Sequence, residues 1–183
     1  SLALLRRAVL AGARVLTTSE KVLAAIARKD NPQMVVAAFR QRTTALSALP
    51  VEGARRWLAL YQVRDPGNLG TVIRTADACG VDAVILVGAC CDLFSIETVR
   101  ASMGSLFAVP TASADFPTFD AWRRKAGAKL VAASMHGSTG PHAVEFGGRS
   151  VVLMGNEQSG LPDDIESACD TLARIPMRGS ADC

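Results

Sequence analysis

The stretch Val151-Val152-Leu153-Met154-Gly155-Asn156-Glu157-Gln158-Ser159-Gly160-Leu161-Pro162 decides the reading of the fold. Four apolar residues in a row read as a buried strand, and the run then breaks into a polar loop bracketed by glycines. Gly155 and Gly160 let backbone approach something closely, while Asn156 and Glu157 sit where the strand ends. In open α/β sheets, the space just past a strand's carboxyl end is where ligands bind.

Outward from that stretch, the same type of run recurs. Trp57–Tyr61, the wholly apolar Ala83–Val87, Leu106–Val109, Lys129–Ala133 and Thr171–Ile175 read as further strands. Between them, helices are predicted over Leu69–Cys79, ended by Gly80, over Ser95–Ser102, over Thr118–Ala126 and from Pro162 to Cys169. Apolar strands alternating with helices imply α/β architecture, a parallel sheet covered on both faces. Upstream, residues 1–12 have helical periodicity, and Ser19 is a candidate N-cap for a helix to about Lys29. Asn31-Pro32 breaks that helix, Met34–Phe39 reads as a strand, and Arg40–Gly53 as a linker.

Composition bounds the class. The 183 residues are 49% hydrophobic and 20% charged, a balance for a packed globular protein rather than a disordered one. A net charge of +3 is compatible with a polyanionic partner without demanding one. No apolar run reaches the ~18 residues of a membrane span. With nothing like a signal peptide at the start, a cytoplasmic protein is the expectation, with no membrane partner. The five cysteines include no C-x-x-C, and the two histidines, His136 and His142, lack the i, i+4 spacing of helical ligands, so no metal is expected. The chain opens at Ser1 without Met and stops at Cys183 without a closing element, as a window on a longer polypeptide would.

The first strand-loop-helix of an α/β enzyme is where nucleotide fingerprints lie. Here it reads Asp65-Pro66-Gly67-Asn68-Leu69-Gly70-Thr71-Val72-Ile73-Arg74, neither G-x-G-x-x-G nor a P-loop. Ordinary dinucleotide binding and NTP hydrolysis are therefore disfavoured. What remains is Asn68-x-Gly70-x-x-x-Arg74, with Gly70 and Arg74 one helical turn apart. Alone, it reads as a helix capped by Asn68 with a surface charge at Arg74, or as a helix start opened by Gly70 with Arg74 beside the gap.

Three segments change that balance. Asn68-x-Gly70-x-x-x-Arg74, Gly155-Asn156-Glu157-x-x-Gly160-Leu161 and Ile175-Pro176-Met177-x-Gly179 resemble, in order, the three signature motifs of the SpoU/TrmH family. Arg100–Ser105 is similar to that family's connecting segment. The family comprises S-adenosylmethionine-dependent RNA ribose 2′-O-methyltransferases of the SPOUT superfamily, with a trefoil-knotted fold, working as homodimers. The resemblance covers roughly residues 56–183 and implies a methyltransferase domain over 54–183. Residues 1–49 resemble the end of a small RNA-binding domain, on Val22-Leu23, Asn31-Pro32-Gln33 and the apolar run that follows. That fragment favours ribosomal over transfer RNA as substrate. The family's third motif continues into Ser-Leu-Asn and a further helix, beyond Cys183.

The resemblance also implies roles. Arg74 is the catalytic arginine, and since a guanidinium stays protonated, it serves better as a phosphate grip and alkoxide stabiliser than as a base. Asn68 holds Arg74 or the ribose, and Glu157 orients Asn156 or Arg74, or ties the loop. The cofactor pocket is expected to be backbone from three loops: Ser134 and Met135; Gly155, Asn156, Glu157 and Gly160; Ile175, Pro176 and Met177. Arg55-Arg56, Arg40 with Arg42, and Arg123-Arg124-Lys125 are either phosphate contacts or solvated faces. The competing readings are a non-catalytic RNA-binding relative of the same fold, and an α/β enzyme for another nucleotide.

Overall fold

A computed structural model of the chain describes residues 2–28 and 34–176. It falls into two compact units, Ser1–Arg40 and Gln41–Cys183. The first carries two helices, α1 (Leu2–Leu10) and α2 (Glu20–Ala27). Ser19 occupies the N-cap position of α2 in extended backbone but makes no side-chain capping bond. The expected strand over Met34–Phe39 does not form, and Met34 and Phe39 are exposed. An apolar run becomes a strand only when it joins a sheet, and these residues belong to none of the strands among the described residues. Asn31, Pro32 and Gln33 lie outside the described residues.

The second unit holds β1 (Arg56–Tyr61), β2 (Ala83–Val87), β3 (Thr111–Ala114), β4 (Lys129–Ala133), β5 (Ser150–Met154) and β6 (Thr171–Ala173) in one sheet of order β3-β2-β1-β5-β4-β6. Every pairing is parallel. The helices are α3 (Pro66–Ala78), α4 (Ile96–Ala101), α5 (Phe116–Lys125) and α6 (Asp163–Ser167). Alternation splits each central strand between two cores. Trp57 and Ala59 of β1 join Ala83, Ile85 and Val87 of β2, with Phe119 and Ile165 from α5 and α6. Leu60, Val84 and Leu86 pack instead with Leu69, Ile73 and Ala76 of α3. Burial on both faces is why these strands read as unbroken apolar runs.

Two expected elements are displaced. Leu106–Val109 is not a strand: a 3-10 turn occupies Ser105–Phe107, and β3 begins after Pro110. Proline donates no ladder bond and so fits ahead of a strand rather than as its brake. The segment read as a linker is partly core, because Leu46 and Leu49 are buried and Thr44 N–H donates to Thr111 O at 2.9 Å. No helix among the described residues is long and apolar enough to cross a membrane.

Arg123 is only 3% exposed, which removes it from any role on RNA phosphates. Its guanidinium donates to Asp120 (2.7 Å), Asp170 (2.6 Å) and Ala168 O (3.0 Å), tying α5 to the approach to β6. Burial pushes the Asp120 carboxyl up, yet the bonds from Arg124 and Arg123 outweigh it and hold the group below its ordinary value. Breaking a fully buried ion pair costs ~3–5 kcal/mol; with Asp170 42% exposed and able to regain water, Arg123→Ala is expected to cost about 2–3 kcal/mol. Urea denaturation checks this as a lower midpoint at unchanged slope.

Candidate active site

The sheet order contains a switch. From β1 the chain steps outward through β2 and β3, then crosses to build β4, β5 and β6 on the other side, with β5 beside β1. Ligands of open α/β sheets bind outside the carboxyl ends of the strands at such a point. Four neighbouring strand ends converge there, those of β1, β5, β4 and β6.

The turn after β5 is built from backbone. Asn156 N–H donates to Gly160 O at 2.9 Å, and Gly160 N–H returns the bond to Asn156 O at 3.0 Å. A Cβ on Gly155 would lie 2.4 Å from Gly160 C and 2.8 Å from Leu161 N, so only glycine fits. Gly160 has φ +63°, the left-handed region glycine tolerates. Asn156 spends its side chain inside the protein: Oδ1 accepts from the N–H groups of Gln158 (2.9 Å) and Ser159 (3.1 Å), and Nδ2 donates to Gln62 O (2.8 Å). Asn156 therefore shapes the loop.

Glu157 braces this turn to the start of α3. Its carboxylate accepts from Arg64 N–H (3.2 Å), Asp65 N–H (3.3 Å) and, at the longest reach, Asn68 Nδ2 (3.5 Å). Of the expected roles, the geometry supports tying the loop, with a contact to Asn156 Nδ2 at 3.4 Å. Burial pushes the Glu157 carboxyl up, but backbone N–H groups and the Asn68 amide together hold it below its ordinary value. A lowered folded-state pKa means stability that is present above the ordinary carboxylate range and lost as pH falls through the lowered value. Glu157→Gln is expected to lose this contribution, so its thermal midpoint should converge with that of the parent as the pH is lowered below the carboxylate range.

Motif one is arranged differently from the reading of Asn68 as a cap. Asp65 is the N-cap, accepting from Asn68 N–H at 2.6 Å, with Pro66 opening the helix. Nor does Gly70 open space for a ligand. A Cβ there would lie 2.5 Å from Thr98 O and 2.6 Å from the Ala101 side chain, so Gly70 is where α3 and α4 touch. Arg74, one turn on, is exposed, and neither a hydrogen bond nor an ion pair engages its guanidinium among the described residues.

After β4, Ser134 N–H donates to Ala173 O at 2.9 Å, and its hydroxyl donates to Glu166. His136 Nδ1 lies 3.0 Å from the other oxygen of Glu166, which raises the imidazole pKa above its ordinary value. Burial pushes the Glu166 carboxyl up, but its bonds to Ser134 and His136 hold it below its ordinary value. This trio escaped the sequence reading, because Glu166 lies 32 residues beyond Ser134 and only the sheet order joins them. Met135, Ile175 and Pro176 are exposed, and Met177 and Gly179 lie outside the described residues.

The register sets Met154 beside Ala133 and Ala133 beside Ala173, so Met154 ends its strand at that level and Met135 and Ile175 follow two residues past it on the neighbouring strand ends. Met135, Met154 and Ile175 are exposed by 63%, 39% and 58%. Exposed apolar side chains at these strand ends offer a surface for the apolar part of the expected cofactor. No group of three or more metal-ligating side chains occurs among the described residues.

A model of the SpoU rRNA Methylase family matches residues 55–183. The chain is 34% identical over 161 residues to the 23S rRNA (uridine(2479)-2′-O)-methyltransferase of Streptomyces viridochromogenes, covering 84% of this chain and 56% of that protein. It is 29% identical over 164 residues to the 23S rRNA (guanosine(2553)-2′-O)-methyltransferase RlmP of Bacillus subtilis, covering 90% of this chain and 64% of that one. The AdoMet-bound rRNA methyltransferase of Sinorhizobium meliloti is 49% identical with a TM-score of 0.86, over 90% of this chain and 64% of that chain. The chain thus spans a little over half to two thirds of the length of these relatives. On its motifs, its sheet order and these likenesses, the chain belongs to the SpoU rRNA methylase family.

Proposed function

We propose that the protein transfers a methyl group from S-adenosylmethionine to a ribose 2′-hydroxyl of ribosomal RNA. The observation that carries this reading is the brace through Glu157, which locks the glycine turn after β5 to the start of the helix bearing Asn68 and Arg74. A methyl-donor pocket and an RNA-facing arginine are thereby held in fixed relation. S-adenosylmethionine, when bound, supplies an electrophilic methyl group on sulfur.

The residues supply position and charge. Met135, Met154 and Ile175 offer the donor an apolar side, while the loops of Ser134, Gly155–Gly160 and Ile175–Pro176 offer backbone groups to orient it. Arg74 grips an RNA phosphate and stabilises the negative charge that develops as the 2′-hydroxyl passes its proton to an oxygen of that phosphate, while the O–CH3 bond forms at the expense of the S–CH3 bond and the donor would leave as the neutral thioether. The planar fork of a guanidinium suits bidentate contact with phosphate. Asn68, whose amide nitrogen is turned to Glu157, retains its side-chain oxygen for the ribose or for Arg74. The trefoil knot and action as a homodimer in the cytoplasm belong to the same proposal, supported by family membership, as does RNA binding by residues 1–49, which rests on the sequence resemblance of that segment.

Calorimetry on the full-length protein tests the first half of the reading. One S-adenosylmethionine bound per chain is expected, and no heat of binding at millimolar donor contradicts it.

A further inference from the structure

A cleft of about 750 Å³ lies at the other end of the sheet from the three motifs. It forms where the chain enters β1, β4 and β5, and Arg55, Lys129 and Arg149 line it together with Phe146. The register puts them side by side: Ser150 N–H donates to Arg55 O (2.9 Å), and Lys129 N–H to Arg149 O (3.0 Å). Two of the cations are fixed without being neutralised. Lys129 Nζ donates to Glu145 O at 2.8 Å and Arg149 to Ala126 O at 3.1 Å, both backbone carbonyls. None of the three makes an ion pair among the described residues. The Asp82 carboxylate accepts from the backbone N–H groups of Arg55 and Arg56, each at 2.8 Å.

Around the charges the wall is open. Within 4 Å of where a Cβ would stand on Gly127, Gly147 or Gly148 there is no atom. Phe146 is 41% exposed beside them. Small-molecule pockets enclose most of their ligand in apolar surface, and this cleft does not. Uncompensated cations beside an exposed ring are instead the arrangement that holds a nucleic-acid strand, phosphates on the charges and a base on the ring.

We propose that this cleft is a second RNA contact, in which Arg55, Lys129 and Arg149 hold phosphodiester oxygens and a base stacks on Phe146. It rests on RNA being the substrate. The five residues of β5 separate it from the methyl-transfer site by about 13 Å of strand, a distance a few nucleotides span. The contact positions the RNA and carries no sequence information.

The test compares the full-length protein with Arg55→Gln/Lys129→Gln, using a fluorescently labelled RNA stem-loop titrated at several salt concentrations. Each lost phosphate contact is expected to flatten the slope of log K against log salt by about 0.7–0.9. Phe146→Ala is expected to weaken binding about tenfold. Affinity for S-adenosylmethionine stays unchanged in both variants. The charge-keeping pair Arg55→Lys/Lys129→Arg recovers the parent slope, which a folding defect would not allow. An unchanged slope and affinity in Arg55→Gln/Lys129→Gln overturn the cleft while leaving the methyltransferase reading intact. If the parent protein binds no RNA at all, it is the underlying reading that fails. Competition by inorganic phosphate in a cleft whose variants bind RNA normally would mean a site for free anion and would also overturn the proposal.

Discussion

Arg74→Ala is expected to reduce methyl transfer at least 100-fold, the scale on which one electrostatic donor to a developing oxyanion counts. Affinity for S-adenosylmethionine should stay within a factor of about 2, since Arg74 lies on α3 and the proposed donor pocket is built from the loops after β4, β5 and β6. The fold should not notice the change, because the side chain is exposed and engages no partner among the described residues. Arg74→Lys keeps the charge but loses the planar fork that grips phosphate, so only partial recovery is expected. Single-turnover rates with saturating donor, read beside calorimetry, separate these effects. An Arg74→Ala protein that transfers methyl at the parent rate would remove the arginine from the chemistry.

Gly155→Ala should act through the other half of the site. Its new Cβ meets Gly160 C at 2.4 Å and Gly160 O at 2.6 Å, both backbone atoms that cannot swing aside like a side chain. β5 is paired on both sides, with β1 and with β4, so the strand cannot yield either. The turn must open, breaking the reciprocal bonds between Asn156 and Gly160. A loss of about 1–3 kcal/mol in stability is expected from overpacking. A fall of at least tenfold in donor affinity should accompany it, or about 1.4 kcal/mol. Gly140→Ala is the matched control: φ is −66° there and a Cβ would meet nothing within 4 Å, so its stability should move by less than about 0.5 kcal/mol. Denaturant midpoints and donor titrations of the two variants check the contrast.

How much of this was legible in the sequence depended on burial. Strands β1, β2, β4 and β5 were read to within a residue at each end, because burial on two faces leaves a mostly apolar run. β3 was not, since Thr111-Ala112-Ser113-Ala114 is small and polar and only its pairing with β2 makes it a strand. The reverse error fell on Met34–Phe39, apolar but not a strand of the sheet. At the site, sequence order identified the glycine turn and its neighbours, yet misassigned two residues whose roles are tertiary. Gly70 looked like an opening for a ligand and is the contact with α4. Arg123 looked like one of a surface trio and is buried in an ion-pair network. Asp65 as N-cap was within reach, since Asp-Pro with the proline at the first helical position is a start signal.

The central claim is that an oxygen of ribose, and not a base, receives the methyl group. Full-length protein incubated with methyl-labelled S-adenosylmethionine and ribosomal RNA, followed by digestion to nucleosides and chromatography, tests it directly. The account predicts label in a single 2′-O-methylnucleoside, absent with Arg74→Ala. Label on a base, or none from a protein that binds the donor, would contradict it.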